Sequence, residues 1–161
     1  MRERGKAECT ESPAKQVAGF IAKFDSRVAK LIGTSRAALR KRFPTANELV
    51  YDNYNFFVIG FSTTERSSHC MVSLAANAKS VGLSFYYGAT LPDPGKILLG
   101  SGNQNRFIRL ESAATLAKPE VEALLRAAAA QAKSPLPATG RGRTIVKSVS
   151  AKQRPRRAPA S

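Results

Sequence analysis

The side chains best suited to nucleophilic or metal chemistry are the single histidine, His69, and its neighbour Cys70. A thiolate beside an imidazole can act as a nucleophile, and both groups bind zinc. The pair lies at the start of a strand-like run, however, where adjacent side chains point to opposite faces. The other cysteine, Cys9, lies in a polar amino-terminal arm. We therefore predict that Cys70 is a packed core thiol, that His69 lies at the surface, and that the protein holds no metal and no other cofactor.

Acid–base catalysis would need two carboxylates brought together in a cleft. Glu48 and Asp52 flank the first predicted strand, and Asp93 lies in a long loop, but nothing in their spacing brings them together. Asp52 is most simply a turn residue that accepts hydrogen bonds from its own backbone. The sequence also has no nucleophile elbow, Walker loop or dinucleotide fingerprint. We therefore expect a protein that is not an enzyme.

A candidate ligand site centres on Arg106, at the mouth of the Gly- and Asn-rich loop of residues 100–105. A guanidinium group there could bind a carboxylate or phosphate in a bidentate manner. The alternative is that it reaches into water at the end of a strand. The side chains that could share a pocket with it, or form an ordinary sheet surface instead, are Asp52, Tyr54, Asn55 and Tyr86. This pocket would suit a carrier of a small ligand or of iron.

The net charge of +15 is concentrated in the carboxyl-terminal quarter, since no acidic residue follows Glu122. The predicted tail, residues 134–161, contains the cations Arg141, Arg143, Lys147, Lys152, Arg154, Arg156 and Arg157. Such a segment can bind nucleic acid or another polyanion through phosphate contacts that weaken with salt. The tail has no aromatic residue to stack on a base, so this contact would be nonspecific. The alternative is a solvated terminus that keeps a basic protein soluble.

The elements that position these groups include a stretch from Asn47 to Tyr87 with four short β-branched and aromatic runs. Turn residues separate the runs, a pattern typical of an antiparallel meander. The second run, residues 55–61, is apolar in both alternating sets, which predicts a central strand buried on both faces, Phe56 included. Another strand is predicted over Arg106–Leu110, and the tail has one short strand-like run at residues 144–146.

Three helices are predicted around this sheet. Ser12-Pro13 is a typical helix start, and an apolar stripe follows at Val17, Phe20, Ile21 and Phe24. Asp25-Ser26 offers a break and a second helix cap. A second helical pattern then runs to Pro44, with an interruption at Gly33-Thr34-Ser35. The third begins at Pro119.

These elements predict an α+β fold in which an antiparallel sheet of about five strands is covered mainly on one face by two N-terminal helices and one C-terminal helix. The predicted organisation is an arm at residues 1–11, a domain at 12–133 and a basic tail at 134–161. Two unpaired thiols favour a cytoplasmic location. The apolar runs are too short for a membrane span, so we expect no membrane partner.

Several strings of this chain resemble the YdhG-like family, a domain of unknown function. They lie at residues 47–55 (NELVYDNYN), 91–94 (LPDP), 100–104 (GSGNQ), 108–112 (IRLES) and 148–157 (SVSAKQRPRR). The resemblance extends over roughly residues 12–157 and implies a small bacterial α+β domain. Some relatives are described as frataxin-like iron chaperones, a role that resembles metal binding by an acidic surface. This chain departs from that pattern, because its eleven carboxylates are scattered and its charge is positive.

Overall fold

The computed structural model describes residues 11–159, which fold into one six-stranded sheet with three α-helices. The strands are β1 (Asn47–Asp52), β2 (Phe57–Ser62), β3 (Cys70–Ala76), β4 (Val81–Phe85), β5 (Arg106–Leu110) and β6 (Thr144–Val149). Their order in the sheet is β5-β4-β3-β2-β1-β6, antiparallel throughout except for the parallel pair β1–β6. The helices are α1 (Pro13–Ala22), α2 (Ser26–Arg42) and α3 (Pro119–Ala130).

The predicted α+β class is confirmed, and the strand count is corrected from about five to six. The added strand is the β-branched run of the predicted tail, which extends to Val149 and pairs with β1. A sequence pattern can indicate that such a run is extended, but it does not say which strand, about a hundred residues away, will accept it. The carboxyl-terminal segment thus contributes an edge strand to the sheet.

The two faces of the sheet have different surroundings. Val17 and Leu125 of the helices, and Phe24 in the link between α1 and α2, belong to one buried apolar cluster with alternate residues of the strands, among them Ile59 and Leu83. The opposite face of β3 and β4 carries small or polar side chains, which are half-exposed. This arrangement agrees with the predicted covering of mainly one face by helices.

The helix starts follow the sequence signals. The Ser12 hydroxyl accepts a hydrogen bond from Lys15 N at 3.2 Å with Pro13 at the first helical position, and the Asp25 carboxylate accepts one from Val28 N at 2.9 Å. The predicted interruption of the second helix is wrong, because α2 is continuous from Ser26 to Arg42. The Thr34 hydroxyl donates to the carbonyl oxygen of Lys30 one turn earlier, which gives this side chain a partner without breaking the helix.

The central position of β2 is confirmed, but its predicted burial on both faces holds only in part, because Val58 is half-buried. Phe57, Ile59 and Phe61 are buried, and β2 has further strands of the sheet on both sides of it. Phe56 precedes the strand and is 43% exposed, so its predicted burial is wrong. Within residues 11–159 no helix is both long and apolar enough to cross a membrane.

Candidate functional site

Asp52 is the last residue of β1, and its carboxylate binds two cationic side chains inside the protein. In the β1–β2 register it is opposite Phe57, so its side chain points to the helix-covered face. Its carboxylate accepts hydrogen bonds from Lys23 Nζ at 2.7 Å and from Arg156 Nη2 at 2.8 Å. Burial alone would raise the pKa of Asp52, but these two cations outweigh it and hold the pKa below the ordinary value. The carboxylate is therefore charged and fully engaged within the fold.

Arg156 is the buried partner in this pair. Its side chain is 3% exposed and the side chain of Asp52 is 1% exposed. The guanidinium also donates to the carbonyl oxygen of Asn53 and lies 5.9 Å from the centre of the Phe24 ring. A charge this deeply buried requires its counter-charge, because an unpaired buried ion is very costly. The sequence predicts Arg156 as an anion-binding residue of the tail, whereas the structure places it inside the protein.

The segment around Arg156, residues 150–159, forms a strap across the β1–β2 turn. The strap is held by hydrogen bonds from Ser150 N and Gln153 Nε2 to the carbonyl oxygen of Asp52, from Arg154 N to that of Tyr54, and from Arg157 Nε to that of Lys23. Most of these bonds use backbone acceptors at the end of β1 and in the turn after it, so the path of the strap is fixed by the sheet. The cations of the strap therefore have defined positions.

A second inward carboxylate, Glu48, fixes the other end of β6. It accepts two hydrogen bonds from Arg36, one from Arg40 at 2.7 Å and one from the Thr144 hydroxyl at 2.7 Å. Burial alone would raise the pKa of Glu48, but the bonds from Arg36 and Thr144 outweigh it, and the net direction is downward. Glu48 thus ties α2 to the first residue of β6.

The β1–β2 turn and the strap together form an exposed surface that combines aromatic rings with cations. Tyr54 is 48% exposed and Phe56 is 43% exposed. The Arg154 guanidinium lies 5.4 Å from the centre of the Tyr54 ring, and its Nε donates to Asn55 Oδ1 at 2.8 Å. Cation–π contacts of this kind leave the other face of the ring available for stacking.

Beside these residues is a depression of about 490 Å³. It is lined by Asn55, Phe56, Asn77, Ala78, Lys79, Arg154, Pro155, Arg157, Ala158 and Pro159. We call this lining, together with Tyr54, the turn–strap surface. It contains three cations and no carboxylate, so it favours an anionic ligand.

The other predicted cations lie along the β6 edge or in the strap. Arg143 pairs with Glu65, and Lys147 Nζ donates to the carbonyl oxygen of Glu65 at 3.1 Å. Arg141 lines a separate depression of about 360 Å³ with Arg40, Lys41 and the buried Glu48. Lys152 is exposed in the strap. The predicted tail therefore divides into cations that hold the fold and cations that face solvent.

Arg106 and Tyr86 do not share a pocket with Asp52, Tyr54 and Asn55. In the strand registers Arg106 is in line with Glu48, so it lies at the opposite end of the sheet from Asp52. The strands β1 and β5 are also four strand spacings apart, roughly 19 Å. Arg106 Nη1 donates to the carbonyl oxygens of Gly102 and Asn105, which makes it a support for its own loop.

The His69–Cys70 pair also lacks a catalytic arrangement. The His69 ring bonds the Thr64 hydroxyl through Nδ1 at 2.9 Å, and Cys70 is buried at the start of β3. Within residues 11–159 no group of three or more histidine, cysteine, aspartate and glutamate side chains is placed to hold a metal ion. Cys9 lies outside the residues that the structure describes.

We expect Cys70 to resist alkylation while the protein is folded. Burial raises the pKa of its thiol to about 11. At pH 8 the reactive thiolate is then scarce, and iodoacetamide should modify folded Cys70 at least about 100-fold more slowly than the unfolded chain. Mass spectrometry of a Cys9→Ser variant, with and without denaturant, measures this ratio. Equal rates in the two conditions would contradict the burial of the thiol.

Seven members of the turn–strap surface are not among the predicted site residues: Phe56, Asn77, Ala78, Lys79, Pro155, Ala158 and Pro159. The sequence could have indicated that Phe56 is exposed, because it lies shortly after the turn residues Asp52-Asn53 and before the alternating pattern of the strand begins. Lys79 and Asn77 sit in a turn between β3 and β4, where an alternating pattern gives no reason to connect them with a segment 75 residues later.

Comparisons with protein-family models, with curated proteins and with solved structures find no match to this chain. The resemblance to the YdhG-like family therefore stays a prediction.

Proposed function

We propose that this protein is a non-enzymatic binding protein whose carboxyl-terminal cations contact an anionic partner, and that this partner is nucleic acid. The observation that carries the proposal is the Arg154 guanidinium stacked near the exposed Tyr54 ring, with the exposed Phe56 close by. Nucleic-acid-binding surfaces combine the same two groups, because cations bind phosphates and aromatic rings bind bases.

The electrostatics support an extended anion as the partner. Lys79, Arg154 and Arg157 line one depression without a carboxylate, in a chain with a net charge of +15. Each phosphate contact releases a condensed counterion, which favours binding at low salt. A basic surface of this kind also increases the rate of encounter with a polyanion.

The contacts of the strap favour a binding surface with a fixed geometry over a mobile arm. The ion pair of Arg156 with Asp52 and the bond from Arg154 N to the Tyr54 carbonyl hold the neighbouring cations close to the turn. A group held in its binding position loses less conformational entropy when the ligand arrives. In this proposal Arg156 has a structural role, and Arg154 and Arg157 contact phosphates.

The test is a salt-dependent titration of a charge variant. We expect the triple substitution Lys79→Gln, Arg154→Gln and Arg157→Gln to weaken binding about tenfold or more at about 50 mM salt and to reduce the slope of log K against log salt by about 2. Fluorescence anisotropy measures both quantities, with a labelled DNA that has a duplex part and a single-stranded overhang.

The matched control removes three exposed lysines elsewhere. The variant Lys30→Gln, Lys96→Gln and Lys118→Gln has the same net charge as the test variant, but its substituted residues lie outside the turn–strap surface. It should bind within about threefold of the wild type at the same salt. Equal losses in both triple variants, or no binding by the wild type at low salt, would refute the proposed surface.

A further inference from the structure

The uncovered face of the sheet carries a second depression that adjoins the turn–strap surface. Its volume is about 490 Å³, within the range of about 300–1,000 Å³ common for ligand pockets. It is lined by Phe56, Ala75, Asn77, Ser80, Val81, Gly82, Ser84, Asn105, Phe107 and Arg109, which we call the sheet-face trough. Phe56 and Asn77 line both depressions, so the two are contiguous.

The floor of the trough is low because its strand residues are small. Ala75 pairs with Gly82 in the β3–β4 register, and Ser84 pairs with Phe107 in the β4–β5 register. These side chains alternate with Leu74 and Leu83, which face the helices, so they point to the opposite face. A flat, small-residue floor with an aromatic ring at each side has the shape of a slot for a planar group.

The polar groups around this slot suit a nucleobase attached to a phosphate chain. Asn77 offers its amide Nδ2 as a donor, since its Oδ1 accepts hydrogen bonds from Lys79 N and Ser80 N at 2.9 Å. Asn105 adds a second amide group, and Arg109 adds a cation on β5. No carboxylate lines the trough, and the strap cations Arg154 and Arg157 lie beyond Phe56. The cations therefore lie at the border of the slot, and the aromatic and amide groups lie inside it.

We propose that the ligand is a single-stranded nucleic acid whose unpaired bases enter the sheet-face trough while its phosphates contact the turn–strap surface. This inference depends on the proposed function and names the form of the nucleic acid. A duplex keeps the faces of its bases stacked on each other, so it can contact the strap cations but cannot place a base in the trough. Single strands present free base faces, and binding on aromatic side chains is sequence-tolerant.

The experiment compares a single-stranded oligonucleotide with a hairpin duplex of the same length and charge, as DNA and as RNA, by fluorescence anisotropy at one salt concentration. We expect the wild type to bind the single strand about tenfold more tightly or better. The variants Phe56→Ser and Gly82→Val should each lose about fivefold or more of the single-strand affinity, since one removes a stacking ring and the other fills the floor. Duplex binding should stay the same in Gly82→Val, whose substituted residue lies outside the turn–strap surface.

Gly82 is a suitable position for filling the trough because an added Cβ would meet only ordinary contacts, the nearest being the carbonyl oxygen of Ile108 at 3.5 Å. Valine is also favourable in a strand, and thermal unfolding of each variant verifies that it folds. The control is Leu99→Ser, which removes an equally exposed apolar side chain, 43%, outside the trough.

The outcomes separate the two proposals. If the wild type binds single strand and duplex equally and the trough variants bind as the wild type does, the trough assignment is overturned while binding through the strap cations stands. If neither form binds at low salt, the proposed function fails and the trough assignment fails with it. A loss in Leu99→Ser equal to that in Phe56→Ser would also overturn the trough assignment.

Discussion

The Asp52→Ala variant is expected to unfold with a free energy about 3–5 kcal/mol lower than that of the wild type. The reason is that Arg156, whose side chain is 3% exposed, would lose its counter-charge while it remained buried. Urea denaturation followed by circular dichroism measures the difference. The control Glu111→Ala removes an exposed carboxylate and should change stability by no more than about 0.5 kcal/mol.

A double substitution distinguishes a lost ion pair from general damage. If the cost of Asp52→Ala comes from the unpaired charge of Arg156, the addition of Arg156→Met should restore much of the stability, because it removes that charge and keeps the apolar packing. Additive losses in the double variant would contradict this explanation.

The same ion pair makes a prediction about acid. The pKa of Asp52 in the folded protein lies below its ordinary value of 3.8, so the carboxylate stabilises the fold fully above that value. As the pH falls through the lower, folded pKa the unfolded state has already bound its proton and this stabilisation is lost. The wild type should therefore lose stability on acidification below about pH 4, and Asp52→Ala should lose less over the same interval.

The Gly142→Ala variant is expected to lose about 1–3 kcal/mol of unfolding free energy, or more, through a steric clash. A Cβ on Gly142 would overlap the carbonyl group of Ala46 and would lie only 3.0 Å from Asn47 N. These are backbone atoms next to β1, and Gly142 N donates to the carbonyl oxygen of Pro44 at 3.0 Å. The two segments would have to separate, which would disturb the entry of the chain into β6.

Gly102→Ala is the matched control, because nothing lies within 4 Å of its added Cβ. It should unfold within about 0.5 kcal/mol of the wild type in the same urea titration. If Gly142→Ala proves as stable as Gly102→Ala, the close approach of the carboxyl-terminal segment to residues 44–47 is contradicted.

The fold can be predicted from the sequence wherever the deciding interactions are local. Ser12-Pro13 and the Asp25 carboxylate start helices through contacts three residues away, and the apolar run at residues 57–61 favours a central strand with neighbouring strands on both sides. The interruption expected at Gly33-Thr34-Ser35 fails for the opposite reason. Packing of residues such as Ile32 and Leu39 in the core holds α2 together across a locally weak stretch.

The candidate site could not be assembled from the sequence because its parts meet through long-range pairing. Asp52 looks like a turn residue, and only the placement of a segment 104 residues later gives it Arg156 as a partner. The tail has no aromatic residue of its own, and the rings beside its cations come from the β1–β2 turn. Residue type alone groups Arg106 with Asp52, whereas the strand order and registers put them at opposite ends of the sheet.

We propose that the carboxyl-terminal cations, held against the sheet, form with Tyr54 and Phe56 a surface for nucleic acid. The most direct test is a two-dimensional ¹H–¹⁵N NMR titration of the assigned full chain with a single-stranded oligonucleotide. We expect dispersed amide signals for residues 144–157 in the free protein, and the largest shifts on binding at residues 54–56, 77–84 and 154–157. Random-coil signals from residues 144–157, or shifts confined to other surfaces, would contradict this binding surface.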